Sequence, residues 1–285
     1  MDSGPGPNKK VKKQTRQDTC QHHAKINAAL IITEAYMTKT LVYQSFRTHN
    51  IPSWLTTCMT SVQNWAATQG YEYQFIDDSF FQVVPTWFAD SVERQRHIMS
   101  DLARLEFADQ YLNSGWDKVI WMDADLYIPH PSRFIIPNTS NFWLTAELWV
   151  DAENRQPSFS KRVNNAILVF NKENFFLKYY RDACIKIIKH KKAPMAHTEI
   201  GTKFLTGISH LLPQLKGVSL FSPFLLYSFY NKDQDLINSY LKKLESPIYA
   251  ANMSLTFRDS TYENTKLDDS LYEKIMELIK ELPSF

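Results

Sequence analysis

Lys118-Val119-Ile120-Trp121-Met122 carries apolar side chains at four successive positions and then meets Asp123-Ala124-Asp125. A strand with one wet face alternates apolar and polar residues. A run that is apolar throughout reads as a strand covered on both faces, as parallel strands are between layers of helices. The chain around it repeats the theme. Strand-like segments at 41–46, 71–76, 143–146, 166–170 and 218–221 are spaced by helix-like ones. One helix opens at Pro52, with Ser53 or a neighbouring residue as its cap, carries Leu55, Cys58, Met59, Val62, Trp65 and Ala66 at helical spacing, and stops at Gly70. A long helix is predicted over 92–112, with Ile98, Leu102, Leu105, Ala108 and Leu112 as its apolar stripe, and others over 174–189, 198–212 and 271–282. This alternation predicts an α/β fold with a mainly parallel central sheet. No long linker interrupts residues 40–260, so residues 25–285 read as a single domain. Residues 1–24 are polar and Lys-rich and read as a flexible basic tail.

Composition removes several function classes. Glycine is only 7 of 285 residues, and neither a GxGxxG nor a GxxxxGK[ST] segment occurs, so the common dinucleotide and P-loop readings fall away. Net charge is +2, which gives no electrostatic reason to expect nucleic acid. Cys20, Cys58 and Cys184 form no CxxC pair, and so sparse a set suits a reducing compartment. No apolar run approaches the ~18 residues of a membrane span, and no apolar segment directly follows the basic N-terminus. A soluble, cytoplasmic protein is expected, with the basic tail as its one means of peripheral membrane contact.

Asp123 and Asp125 are the most informative residues. Positions i and i+2 of an extended chain face the same side, and open α/β sheets bind ligands beyond the carboxyl ends of their strands. Two like charges there repel unless a cation or hydrogen-bond donors hold them. Oxygen ligands so placed suit Mn²⁺ or Mg²⁺ beside a diphosphate; the plainer alternative is a solvated Asp-x-Asp turn. On the preceding long helix, Arg94, His97, Asp101 and Arg104 are spaced to share one face. They form either a surface ion pair or a wall of the ligand cleft.

In order along the chain, Leu41-Val-Tyr-Gln-Ser-Phe46, Asn50-Ile-Pro-Ser-Trp54, Tyr71-Glu-Tyr-Gln-Phe-Ile-Asp-Asp78, Ser100-Asp-Leu-Ala-Arg104, Asp123-Ala-Asp125 and Gly201-Thr-Lys-Phe-Leu-Thr206 resemble the motif series of glycosyltransferase family 32. Its sugar-binding segment is shared with capsular-polysaccharide transferases and the glucosylating toxins. The resemblance spans residues 40–258 and implies a GT-A (nucleotide-diphospho-sugar transferase, Rossmann-like) fold, a nucleotide-sugar donor, Mn²⁺ and retention of anomeric configuration. By motif position, Asp101 and Arg104 would bind the sugar hydroxyls and Asp123 the sugar and ribose. Asp125 would ligate the metal, with Asp123 beside it. Phe46 takes the place of the aromatic near the base, and Asn165 that of a sugar-contacting Asn. Where the family carries a late His, this chain has Asn252, with Ser254 close by, so the third metal ligand is read as Asn252 or Ser254.

The expected acceptor is a glycan or glycoprotein hydroxyl. Glu199 is a candidate for an acceptor-side role, or else a first-turn Glu that suits a helix dipole. Lys161, Arg162, Lys203 and Arg258 are candidate phosphate partners. Two competing readings are a haloacid-dehalogenase-like phosphatase, which also places DxD after an apolar strand, and a catalytically inactive nucleotide-sugar-binding module.

Overall fold

The computed structural model describes residues 1–2, 38–153, 156–191 and 194–282. The expected tail, and residues 25–37 of the expected domain, lie outside these apart from Met1 and Asp2. The helices are α1 (Ser53–Thr68), α2 (Thr86–Ser91), α3 (Arg96–Asn113), α4 (Phe176–His190), α5 (Thr202–Gly207), α6 (Pro223–Tyr230), α7 (Gln234–Lys243) and α8 (Asp269–Glu281). The strands are β1 (Thr40–Ser45), β2 (Glu72–Ile76), β3 (Lys118–Met122), β4 (Leu126–Tyr127), β5 (Phe142–Glu153), β6 (Gln156–Asn171), β7 (Gln214–Leu215), β8 (Val218–Leu220), β9 (Ala250–Asn252), β10 (Thr261–Tyr262) and β11 (Thr265–Lys266).

Six strands form the central sheet in the order β2-β1-β3-β6-β5-β7. The pairs β1–β2, β1–β3 and β5–β7 are parallel, while β6 runs antiparallel to both β3 and β5. Successive residues of the inner strands go to opposite faces. Leu41, Tyr43, Val119, Trp121, Leu168 and Phe170 join one apolar cluster with α3 and α4. Val42, Ile120, Met122, Ile167 and Val169 join another with Val62, Trp65 and Ala66 of α1. All five residues of β3 are buried, as its composition requires of a strand between two helical layers. The chain from Lys39 onward forms one compact unit. Among the described residues no helix is long and apolar enough to cross a membrane.

A second, three-stranded sheet, β4-β9-β8, lies at the carboxyl end of β3. Leu126 of β4 pairs antiparallel with Asn252 of β9, which brings the late part of the chain beside Asp123 and Asp125.

Several expected elements differ. The helix expected at 92–112 starts at Arg96, because Glu93 and Arg94 take positive φ angles of 52° and 57° and break it from α2. Ser53 does not cap α1: Pro52 holds the cap position without a side-chain bond, and the Ser53 hydroxyl donates to Glu273. The helix expected over 198–212 is only α5 plus a 3-10 turn at Ser209–Leu211. The strands expected at 143–146 and 166–170 are the inner ends of a long hairpin, β5–β6. Its outer half, beyond a bulge at Leu144/Thr145, pairs along its length and buries Val150 in a second apolar cluster.

Candidate active site

β3 delivers Asp123 to the edge of the sheet with its backbone still in strand geometry. Asp123 N–H donates to Ala166 O at 2.8 Å, and Asp123 O accepts from Gln44 Nε2 of β1 at 2.9 Å. Asp125 is held by the loop after β9: its carbonyl accepts from Met253 N–H at 2.9 Å, and its Oδ2 from Leu255 N–H at 2.7 Å.

α3 supplies the second half of the site. Arg104 is 7% exposed, and its donors are spread over a fixed set of partners. Nη1 reaches Asp123 Oδ1 at 3.1 Å and Asn165 O at 2.9 Å. Nη2 reaches Ser100 Oγ at 2.6 Å and lies 3.4 Å from Asp101 Oδ1, and Nε reaches Ser100 O at 3.1 Å. Asp101 Oδ1 also accepts from Asn165 Nδ2 at 2.7 Å. A buried guanidinium shared between two carboxylates needs this full set of partners to offset its desolvation.

These groups border a cleft of about 490 Å³. Arg104, Asp123, Asp125 and Phe46 line it, with Arg47, Arg96, His97 and Arg258. The Arg47 guanidinium lies 5.3 Å above the Phe46 ring. Asp101 and Asn165 stand behind Arg104 rather than on the cleft wall.

Electrostatics follow from burial. Desolvation pushes the Asp101 carboxyl up to about 6 against the opposing pull of Arg104. It pushes Asp125 up to about 7, with the Asp123 charge adding to the rise. Asp123 is raised as well, by burial first and with Arg104 opposing, but a quarter of its side chain is open, which tempers the effect. His97 is lowered by burial, then by His197 and Arg104, with Asp123 opposing.

Two carboxylate oxygens converge on one point. Asp123 Oδ2 lies 3.4 Å and Asp125 Oδ1 3.2 Å from the same Asn252 Nδ2. Crowded carboxylates whose protons are hard to remove are a donor set that a hard dication relieves, so Asp123 and Asp125 fit Mn²⁺ or Mg²⁺. Asn252 does not fit as the third ligand in this orientation. Its amide nitrogen faces the carboxylates, and its oxygen accepts from Ser254 N–H at 2.9 Å. Among the described residues no cluster of three or more His, Cys, Asp and Glu side chains forms a metal site.

The other expected residues are dispersed. Arg94 is off α3 and pairs with Asp90. Glu199 turns to Lys191 and Lys203, and its carboxyl is lowered chiefly by the Lys191 hydrogen bond. Lys161 bridges to Glu245, and the Arg162 guanidinium stacks on Trp149. Arg258 lines the cleft, but Asp269 holds it through Nε and Nη2 at 2.6 and 2.8 Å. Ser100, Gln44 and Trp121 touch the network and were not expected from the sequence. The alternation that puts Trp121 on the side of Asp123 was the only available signal for it.

No family model and no curated protein matches the chain. Among solved structures, it is similar to a glycosyltransferase involved in glycosylation of the major capsid of PBCV-1. Identity is 10% and the TM-score 0.46, covering 84% of this chain and 99% of that one. It is also similar to the galactosyltransferase LgtC in complex with donor and acceptor sugar analogs. Here identity is 12% and the TM-score 0.43, covering 86% and 97%.

Proposed function

We propose that this chain is a metal-dependent glycosyltransferase of GT-A type. It would move a sugar from a UDP-sugar or GDP-sugar to a hydroxyl of a glycan or glycoprotein, with retention. The observation that carries the reading is the single buried network in which Arg104 ties Asp101 to Asp123, on the wall of the cleft into which Asp123 and Asp125 open.

Breaking a sugar–phosphate bond builds positive character on the sugar and negative charge on the departing diphosphate. Asp123 and Asp125 would hold a dication, which when bound would supply Lewis-acid stabilisation of that diphosphate. Arg104 faces the sugar's hydroxyls from the cleft wall, and Asp101 holds it from behind; because Arg104 is pinned by Ser100 and Asp101 by Asn165, little reorganisation is left for the reaction itself. Phe46 offers a ring face for the base.

Retention is supported by the state of Glu199. A carboxylate held by two lysines and lowered in pKa is a poor proton acceptor, and it does not line the cleft. Front-face attack needs no protein base, because the departing phosphate can take the acceptor's proton.

A thermal-shift panel of nucleotide sugars with and without Mn²⁺, followed by a donor-turnover assay, tests the reading. One donor should stabilise the chain preferentially and be consumed in a Mn²⁺-dependent manner. Stabilisation without consumption would favour the inactive binding module. Indifference to every donor would overturn the assignment. Proton NMR of the first-formed product tests retention, and an anomeric configuration opposite to the donor's would refute it.

A further inference from the structure

Trp121 precedes Asp123 by two positions, so the end of β3 points both side chains the same way. Its indole Nε1 donates to Asp123 Oδ1 at 2.8 Å, the oxygen that Arg104 Nη1 reaches at 3.1 Å. The ring has little freedom. Phe80 stacks on it with centroids 5.2 Å apart and planes at 14°, and Tyr43 meets it in an edge contact at 5.3 Å. The Arg104 guanidinium sits 4.8 Å from its centroid. Trp121 is 3% exposed yet forms part of the cleft wall.

A carboxylate facing an arginine commonly pairs through both oxygens. That would tie down both Asp123 oxygens and leave each with only one lone pair for a ligand. Here Arg104 turns Nη2 away to Ser100 and Asp101, and the indole N–H fills the second place on Oδ1. The plane of the carboxylate is set by two donors on one oxygen, and Oδ2 is the oxygen left on the Asn252 side. An indole has a single polar atom, and this bond satisfies it.

We propose that Trp121 is a positioning residue for Asp123: its indole N–H clamps Oδ1 beside Arg104 so that Oδ2 alone is presented to the cation and the sugar nucleotide. The proposal rests on the glycosyltransferase reading for its ligand, but the clamp itself is measurable by metal binding. A merely structural tryptophan would affect melting and not affinity in the folded fraction.

The test compares the full chain with Trp121→Phe, which keeps an aromatic ring between Phe80 and Arg104 and removes the N–H. Mn²⁺ affinity is measured by water-proton relaxation, alongside kcat and KM for the donor found in the panel. Trp121→Phe should bind Mn²⁺ about 10-fold to 100-fold more weakly, the range in which outer-shell partners act, and lower kcat/KM in parallel. Trp121→His keeps a ring N–H and should recover most of the loss. If Trp121→Phe fails to fold, Trp121→His is compared with Trp121→Leu, which has no ring N–H: His within about tenfold of wild type and Leu weaker still sustains the proposal, and equal affinities in the two overturn it. Wild-type affinity and turnover in Trp121→Phe would also overturn it, with the glycosyltransferase reading intact. Mn²⁺ binding that is lost in Asp125→Ala and weakened in Trp121→Phe, without turnover of any nucleotide sugar, would sustain the clamp and sink the reading. A wild-type chain that binds no Mn²⁺ would sink both.

Discussion

Gly201 is packed directly onto the Asp101 carboxylate: a Cβ at this glycine would stand 2.8 Å from Asp101 Oδ2 and 3.2 Å from Asn165 Nδ2. The segment before α5 therefore acts as a backstop for the Asp101–Asn165–Arg104 network. Gly201→Ala should push that carboxylate off Arg104. We expect a stability loss of about 1–3 kcal/mol, the usual scale of overpacking, with a fall in donor turnover well beyond what that loss explains. Denaturant melts and steady-state kinetics on the same preparation check it; a variant with wild-type turnover would show that the close approach is incidental.

Asp101→Asn and Arg104→Ala should separate the two partners. Burial already raises the Asp101 carboxyl to about 6, so the neutral isostere removes a desolvated charge and should change stability by less than about 1.5 kcal/mol. Arg104→Ala strands two carboxylates and should cost about 3–5 kcal/mol. Both should lose turnover. Equal stability losses would refute the assignment of unequal burial costs.

The pH dependence has a definite sign. An Asp near 4 in the unfolded chain that rises to about 7 at Asp125, and to about 6 at Asp101, keeps its proton longer in the fold. The folded state then binds more protons between about pH 4 and 7, so their share of stability falls as pH rises through that window and levels off above it. Thermal melts in chelator from pH 4 to 8 should show this slope, reduced in Asp125→Asn. Mn²⁺ must displace the Asp125 proton, so Mn²⁺ affinity should climb up to about pH 7 and then flatten. An affinity constant from pH 5 to 8 would contradict it.

Asp125→Ala should lower Mn²⁺-dependent turnover at least about 100-fold, on the scale of losing one preorganised electrostatic group. Glu199→Gln should lower it less than tenfold, because Glu199 is spent on Lys191 and Lys203. A loss of ~10²–10⁴-fold for the Gln variant is what a general base would give.

The central sheet and its helices were legible because each carries its own period. β3 was readable to the residue, since the apolar run at 119–122 is bounded sharply by Lys118 on one side and Asp123 on the other. The start of α3 was not: Glu93 and Arg94 adopt positive φ without a glycine to announce it. The hairpin β5–β6 was half visible, because its outer half sends only a few side chains, Val150 with Leu148 and Phe159, to a separate apolar cluster and so shows no regular core-facing pattern. Within the site, Asp101, Arg104, Asp123 and Asp125 came from spacing and from the resemblance. Gln44 acts through a hydrogen bond between two strands, which no local pattern encodes, whereas the Trp121 bond to Asp123 is local and only strand alternation hints at it. For Asn252 the position beside the carboxylates was legible but the direction of its amide was not: its oxygen accepts from Ser254 N–H and its nitrogen faces Asp123 and Asp125.

The pairing of β4 with β9 also bears on how the protein is made. Asn252 reaches Asp123 across 129 residues of sequence, so the convergence of Asp123 and Asp125 depends on a strand that leaves the ribosome late. The Arg104–Asp123 half of the cleft, 19 residues apart on neighbouring elements, can assemble much earlier. A nascent or prematurely terminated chain ending before β9 would carry the arginine network without the loop that braces Asp125, and that brace would form only after β9 has been made.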